Sequence, residues 1–352
     1  MRTRRPHTST APPSALPPTG LFRPGGLLRR RSVRLTAAGW AGADVWVAVT
    51  ADAALPFDWP AFAGRSVVGR LVDANLAMLQ VLLLMGVVVA LTRTRARPDV
   101  AGRAPERPVA RREVLWLLGY GVIGQAGGFL LARLLGWHAF GLHLAGTLYG
   151  THEHVVQAEA VAWASYNLLV YAVVPLVLFR RRYSAEALNL TSADRHRDSV
   201  LIGVVLAIES LFQLLVLEPD LLRLNGRQLV LGATVAFVLY LAGAVLPAMV
   251  FVYAILVPRL LRLTGSTAGT VVLGGLTYTL LHVWDAWTVF STPGDAVLSV
   301  VFLVFTYLGP GMIKTLLTVR TGNAWVHVWG YHAFAPHTLF ETTHMVRVFH
   351  IR

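Results

Sequence analysis

Nine apolar segments divide the chain, and they restrict its fold more than any other feature of the sequence. The segments cover 36–57, 70–92, 113–135, 159–179, 199–217, 229–262, 267–287, 296–318 and 324–349. A helix needs roughly 20 apolar residues to cross the hydrocarbon core of a bilayer, and each segment has about that length or more. Only 14% of the residues are charged, against about 25% in soluble domains. The sequence therefore predicts an all-α, polytopic transmembrane helix bundle with about eight or nine spans.

Basic residues between the segments predict which side of the membrane each loop occupies. The loop after the second segment and the loop after the fourth are rich in arginine; they contain Arg93, Arg95, Arg97, Arg103, Arg107, Arg111 and Arg112, and Arg180, Arg181, Arg182, Arg195 and Arg197. Basic loops stay in the cytoplasm, so both loops and the basic N-terminus are predicted to be cytoplasmic. Segment 36–57 must then cross the membrane, despite Asp44 and Asp52. The predicted location is the plasma membrane, with a multi-pass chain and a cytoplasmic N-terminus.

Segment 229–262 is too long for an ordinary span. A single kinked helix, with its break near Gly243 and Pro247, accounts for the charge pattern best. It places Arg259, Arg262, Lys314 and Arg320 on the inside, whereas two antiparallel helices place all four outside.

Composition also predicts the domains and the partners. Residues 1–34 read as a disordered basic cytoplasmic tail, 35–225 as N-terminal transmembrane helices and 226–352 as a second group of transmembrane helices. The net charge of +13 belongs to loops and tail, so the predicted partner is the lipid bilayer and no nucleic acid is expected. The chain contains no cysteine, which excludes disulfides, thiolate catalysis and zinc held by cysteine.

Four motifs in the last hundred residues match one family in order and spacing. They are VPRLLRLTG (257–265), YTLLH (278–282), TVRTGNAW (318–325) and HAFAP (332–336). With them the chain resembles the CPBP family, the intramembrane proteases related to the CAAX prenyl endopeptidase and to bacteriocin-processing proteins. The resemblance implies a membrane helix bundle, an endopeptidase activity on a membrane-bound protein or peptide, and catalytic roles for His282 and His332.

Two departures from the family pattern concern the chemistry. The Glu-Glu-xxx-Arg positions of the first motif fall at Ala248, Met249 and Tyr253, and Pro336 stands where the last motif has Asn or Asp. In the family, the first-motif glutamate activates the attacking water, and neither alanine nor methionine replaces it. The resemblance therefore implies an inherited fold whose catalytic carboxylate is lost or relocated.

His282 lies deep in an apolar run, three residues before Asp285. If the helix continues, both share one face, and Asp285 accepts a hydrogen bond that fixes the tautomer of His282. The alternative is a buried His–Asp pair that only holds two helices together.

The C-terminal stretch YHAFAPHTLFETTH (331–344) contains a second candidate site. His337, Glu341 and His344 follow at i, i+4 and i+7, which predicts one helix face bearing two imidazoles and a carboxylate. Zinc and non-haem iron use that ligand set. The candidate metal ligands are therefore His282, His332, His337 and His344, with Glu341 as the relocated catalytic acid and zinc or another divalent metal as cofactor. The alternative is a polar end of a span that binds no metal.

Other polar residues are assigned plainer roles. Glu209 is the second candidate for a relocated acid, His327 and His350 are predicted to be interfacial, and Arg320, Asn323 and Trp325 an interfacial anchor. The loop with His138, His143, His152, Glu153 and His154 is predicted to be an ordinary polar loop rather than a metal site.

Three functions remain open at this point. One is a metal-dependent intramembrane endopeptidase. Another is a non-catalytic member of the same fold that acts in immunity or regulation. The least favoured is a transporter for a metal ion or small solute, because the sequence shows no internal repeat.

Overall fold

The computed structural model describes residues 29–50, 66–146, 154–214 and 219–352, and these contain nine helices and no strand. The helices are α1 Arg31–Thr50, α2 Val67–Leu91, α3 Arg107–Leu134, α4 Gln157–Arg180, α5 Arg195–Phe212, α6 Gly226–Thr264, α7 Thr267–Leu280, α8 Pro293–Thr321 and α9, which covers 325–348. A short 3₁₀ turn, Pro219–Arg223, precedes α6. Each helix coincides with one predicted segment, so the all-α bundle is confirmed.

Five of the helices in the described part of the chain, α2, α3, α4, α6 and α8, are long and apolar enough to cross a membrane. Large apolar side chains remain exposed on their outer faces, such as Leu83 (65%), Val122 (70%) and Ile123 (72%). A continuous apolar surface of this kind requires lipid rather than water around it. The protein is therefore a membrane protein, and the crossing of α1, α5, α7 and α9 stays a prediction.

Helix α6 supports the prediction of one long helix rather than two. It is continuous over 39 residues, with π-helical turns at Leu241–Val245 and Met249–Leu256, on either side of Pro247. The ring of Trp163 from α4 fills the space beside Gly243, where a Cβ would come within 2.3 Å of that ring.

Other boundaries differ from the prediction. Residues 1–28 of the predicted tail, and Asp52, lie outside the described residues, and α1 already begins at Arg31. Asp44 lies in α1 and accepts a hydrogen bond of 3.0 Å from the amide of Asn75 in α2. Segment 267–287 is helical only to Leu280, after which the chain turns.

Helices α7 and α8 approach each other backbone to backbone. A Cβ at Gly311 would lie 2.7 Å from the Cα of Gly275, so only glycine permits this crossing. One turn further along, the crossing brings Lys314 Nζ to 3.7 Å from the ring centroid of Tyr278. Lys314, which the sequence counted among the charges on the inside, is 1% exposed and points into the bundle. Helix α8 also runs unbroken through Pro310.

A buried polar network joins the arginine-rich loops to the start of α9. The Asp198 carboxylate pairs with Arg95 and accepts hydrogen bonds from Ser192 Oγ (2.6 Å) and Asn323 Nδ2 (2.9 Å). Arg320 donates from Nε to Thr92 Oγ1 at 2.8 Å. Asn323 and Arg320 are only 5% and 7% exposed. Both were predicted to anchor the interface, and they instead satisfy partners inside the protein.

Arg259 is a second charge that the sequence counted on the inside and the structure buries. Its Nε donates to Glu113 Oε2 at 2.6 Å, and its guanidinium lies 4.7 Å from the ring centroids of Phe179 and Tyr183. Tyr183 donates to the other Glu113 oxygen at 2.6 Å. Burial, and next the hydrogen bond to Glu113, raise the pKa of Tyr183, so its hydroxyl remains a donor. This network ties α3, α6 and the end of α4 together.

Candidate metal centre

Five buried histidines form what we call the histidine cluster: His143, His282, His327, His332 and His337, each at most 3% exposed. Their rings form a chain in which neighbouring centroids are 5.1 Å (282 to 143), 4.9 Å (143 to 337), 4.9 Å (337 to 332) and 5.8 Å (332 to 327) apart. His143 comes from the loop after α3, His282 from the turn after α7, and the other three from α9. The cluster therefore joins parts of the chain that are far apart in sequence.

His143 reaches the cluster because its loop folds into the bundle. The Gly141 carbonyl accepts hydrogen bonds from Trp163 Nε1 and Asn167 Nδ2, both at 2.9 Å. A Cβ at Gly141 would lie 2.2 Å from Asp285 Oδ1, so the glycine lets the loop backbone touch that carboxylate. Two residues further on, the backbone N–H of His143 donates a hydrogen bond of 3.1 Å to the same oxygen, Asp285 Oδ1. The prediction of an ordinary polar loop is wrong for His143.

The other residues of that loop have separate positions. His138 pairs with Glu159 at 2.8 Å near the beginning of α4, and His154 is exposed. His152 and Glu153 lie outside the described residues.

Hydrogen bonds fix the orientation of His282, although not in the way the sequence indicated. Helix α7 ends at Leu280, so His282 and Asp285 do not share a helix face. His282 Nδ1 is 2.7 Å from the Tyr278 carbonyl oxygen and donates to it, which leaves the Nε2 lone pair available. The predicted hydrogen bond to Asp285 is replaced by this backbone contact.

Asp285 orients a different histidine. Its Oδ2 accepts a hydrogen bond of 3.0 Å from the Tyr307 hydroxyl and lies 3.7 Å from His143 Nδ1. The Tyr307 ring stacks on His282 with centroids 3.6 Å apart. A carboxylate beside one ring nitrogen favours a proton there and leaves the other nitrogen as the acceptor or ligand. For His143 that nitrogen is Nε2.

In the described part of the chain, two groups of side chains have the spacing of metal ligands. His143, His282 and Asp285 form one, and His143, His337 and Glu341 form the other; within each, the ligand atoms lie within 4.8 Å of one another. His143 belongs to both. Two imidazoles with a carboxylate are a common zinc set.

Buried ring nitrogens in the cluster have lone pairs that a metal ion could use. Nε2 of His143, Nε2 of His282 and both nitrogens of His337 are buried and have no hydrogen-bond partner among the described residues. Buried polar atoms are nearly always satisfied, and a cation held by their lone pairs satisfies them. The residues present therefore fit a divalent metal.

Two other predicted ligands, His332 and His344, belong to neither group. His332 is buried next to His337, and its Nε2 lies 3.2 Å from the Tyr278 hydroxyl, but it belongs to neither group. His344 also belongs to neither group, and its Nδ1 lies 3.1 Å from Arg347 Nη2. Residues at i and i+7 are about 10 Å apart along a helix, too far for one ion. His337 and His344 are therefore not ligands of the same metal.

Pro336 changes the helix type instead of ending the helix. Residues Val328–His332 and Phe334–Leu339 form π-helical turns, followed by an α-helix from Phe340. Thr338 donates from both its N–H (3.2 Å) and its hydroxyl (2.8 Å) to the Ala333 carbonyl. Such π turns are frequent at functional sites.

A cavity of about 110 Å³ adjoins the cluster; its lining includes His143, His332, His337, Glu209 and Lys314. The volume is enough for several water molecules. Glu209 accepts hydrogen bonds from Gln80 Nε2 (2.9 Å) and Gln213 Nε2 (3.0 Å), and it belongs to neither metal group. Glu341 is therefore the better candidate for a carboxylate that acts with the histidines.

His327 is a further residue whose position differs from the prediction. It was predicted to be interfacial, but it is fully buried and its ring centroid lies 4.2 Å from that of Tyr253. His350 is exposed.

A comparison of the chain with protein-family models, with curated proteins and with solved structures finds no match.

Proposed function

We propose that this membrane protein is a metal-dependent intramembrane endopeptidase, as its resemblance to the CPBP family implies. The observation that carries the proposal is the pair of buried groups that share His143, beside a cavity of about 110 Å³. His143, His337 and Glu341 would hold zinc or another divalent cation. The substrate class is a membrane-bound protein or peptide, and the arginine-rich loops favour a plasma-membrane protein with a cytoplasmic N-terminus.

The carboxylate of Glu341 would supply the negative charge that the missing first-motif glutamates leave out, as a metal ligand, while His282 would take over their task of activating water. Ala248 and Met249 lie on α6 between Tyr240, whose ring centroid is 4.8 Å from that of His337, and Tyr253, which contacts His327. The family position therefore borders the same cluster. The Glu341 carboxylate on α9, grouped with His143 and His337, would supply negative charge to this region.

Each remaining group has a defined task in hydrolysis. A bound divalent cation would supply Lewis-acid polarisation of a carbonyl and of a water molecule. His282 Nε2, held unprotonated by the Nδ1 contact to Tyr278, accepts the proton of the attacking water and passes it to the leaving amine. The Tyr278 hydroxyl, 3.2 Å from His332 Nε2, donates a hydrogen bond to the oxygen that gains charge. One peptide bond and one water thus become a carboxylic acid and an amine.

The test uses full-length protein in proteoliposomes with peptides obtained by digesting membrane proteins, and new N-termini are labelled and counted. We expect cleavage that a chelator abolishes and zinc restores. Glu341→Gln removes the anionic ligand and is expected to lower cleavage at least tenfold, the usual lower bound for altering a metal site's surroundings. The control His344→Gln changes a buried residue of the same helix outside both groups.

Metal-dependent cleavage that Glu341→Gln leaves unchanged contradicts the assignment of that residue. Metal binding without any new N-terminus contradicts the peptidase proposal and favours the non-catalytic alternative.

A further inference from the structure

A groove on the arginine-rich side of the bundle combines positive charge with an apolar wall. The cavity measures about 380 Å³ and lies between the first turns of α3 and the end of α4; it is lined by Arg112, Glu113, Trp116, Leu178, Phe179, Arg181 and Arg182. We call it the arginine groove. Its size falls within the range of small-molecule sites.

The positive charge of the groove has no neutralising partner among the residues that the structure describes. Among the described residues, Arg112, Arg181 and Arg182 make no ion pair with a carboxylate. The one acid in the lining, Glu113, is already bound by Arg259 and Tyr183, both at 2.6 Å. Three arginines therefore line one cavity without a counter-ion in the described part of the chain.

The apolar wall continues towards the middle of the membrane. Trp116 and Leu178 line the groove and are 45% and 39% exposed, and their neighbours Leu115 and Val177 are 60% and 48% exposed. α3 and α4 are both long and apolar enough to cross a bilayer. A ligand with an anionic end at the arginines thus finds an apolar surface directly below it.

We infer that the arginine groove binds the phosphodiester headgroup of an anionic phospholipid, with an acyl chain along Trp116 and Leu178. Arginine forks match phosphate oxygens in pairs, and basic pockets between transmembrane helices on the cytoplasmic side bind such headgroups. The apolar wall favours a lipid over free phosphate. The inference depends on the membrane fold and is independent of the peptidase proposal.

The test measures lipid binding to the full-length protein in neutral detergent by native mass spectrometry. Short-chain phosphatidylglycerol is the probe; phosphatidylcholine and inorganic phosphate are the comparison ligands. Arg181→Gln with Arg182→Gln is expected to weaken phosphatidylglycerol binding about twenty-fivefold, since each arginine near an anionic headgroup contributes about fivefold. The control Arg111→Gln with Arg180→Gln removes the same charge from neighbouring positions outside the lining.

We expect the control pair to weaken binding less than fivefold, and phosphatidylcholine to bind more weakly than phosphatidylglycerol. Equal losses in both double variants would overturn the inference in favour of diffuse attraction. Inorganic phosphate that binds as tightly as the lipid would overturn it in favour of a soluble-anion site.

Discussion

His282→Gln is expected to lower the rate of peptide cleavage by about 10²–10⁴-fold, the usual contribution of a general base. Glutamine fills much of the imidazole volume, but its amide accepts no proton at neutral pH. Metal content is expected to stay unchanged, because His143, His337 and Glu341 form a group without His282. Cleavage of the peptide library and bound metal are measured on the same preparation, with His344→Gln as the control.

Two outcomes of that experiment contradict the account in different ways. Unchanged cleavage removes His282 from the catalytic mechanism. Loss of metal together with loss of cleavage places the ion in the other group, with His143 and Asp285, and makes His282 a ligand rather than a base.

Asp198→Ala is expected to destabilise the protein by about 3–5 kcal/mol, because it leaves the buried Arg95 without its counter-ion. The carboxylate also accepts from Ser192 and Asn323, so two further donors lose their partner. The loss is measured as the change in unfolding free energy in detergent. The control is Glu186→Ala, since the Glu186 side chain is 73% exposed and lies 3.8 Å from Arg103. Such a surface pair contributes about 0–1 kcal/mol.

Equal destabilisation by the two alanine substitutions would contradict this prediction. It would mean that the Asp198 network adds no more than a surface ion pair, and that apolar packing alone fixes the loops.

The helices were predictable because a membrane span needs a long apolar segment, which a single sequence displays directly. All nine segments became helices in the described part of the chain. Lys314 and Arg259 were counted among the charges that favour the inside, but both are 1% exposed, and a sequence does not show that a charge is buried until its partners are known. Arg259 has Glu113 as its partner, 146 positions away in sequence.

The candidate site was predictable only in its helical part. His337 and Glu341 are four residues apart, so helix geometry alone brings them together, and the structure does so. His344 does not join His337 at one ion, because residues on the same helix face can still be far apart along the helix axis. His143 could not be assigned, since its place depends on Gly141 touching Asp285 across the bundle. The sequence did contain one indication that this loop is buried. Phe140, Leu142 and Leu144, which surround His143, are apolar, and all three are buried.

We expect His143 to complete a buried metal site, and the metal content of the purified full-length protein measures this. After dialysis against zinc and removal of free ion, we predict about one zinc per chain in the wild type. His143→Ala, which removes the residue common to both groups, is predicted to retain almost none, while His344→Ala retains the wild-type amount. Zinc in His143→Ala equal to that in the wild type, or no zinc in the wild type, would contradict the account.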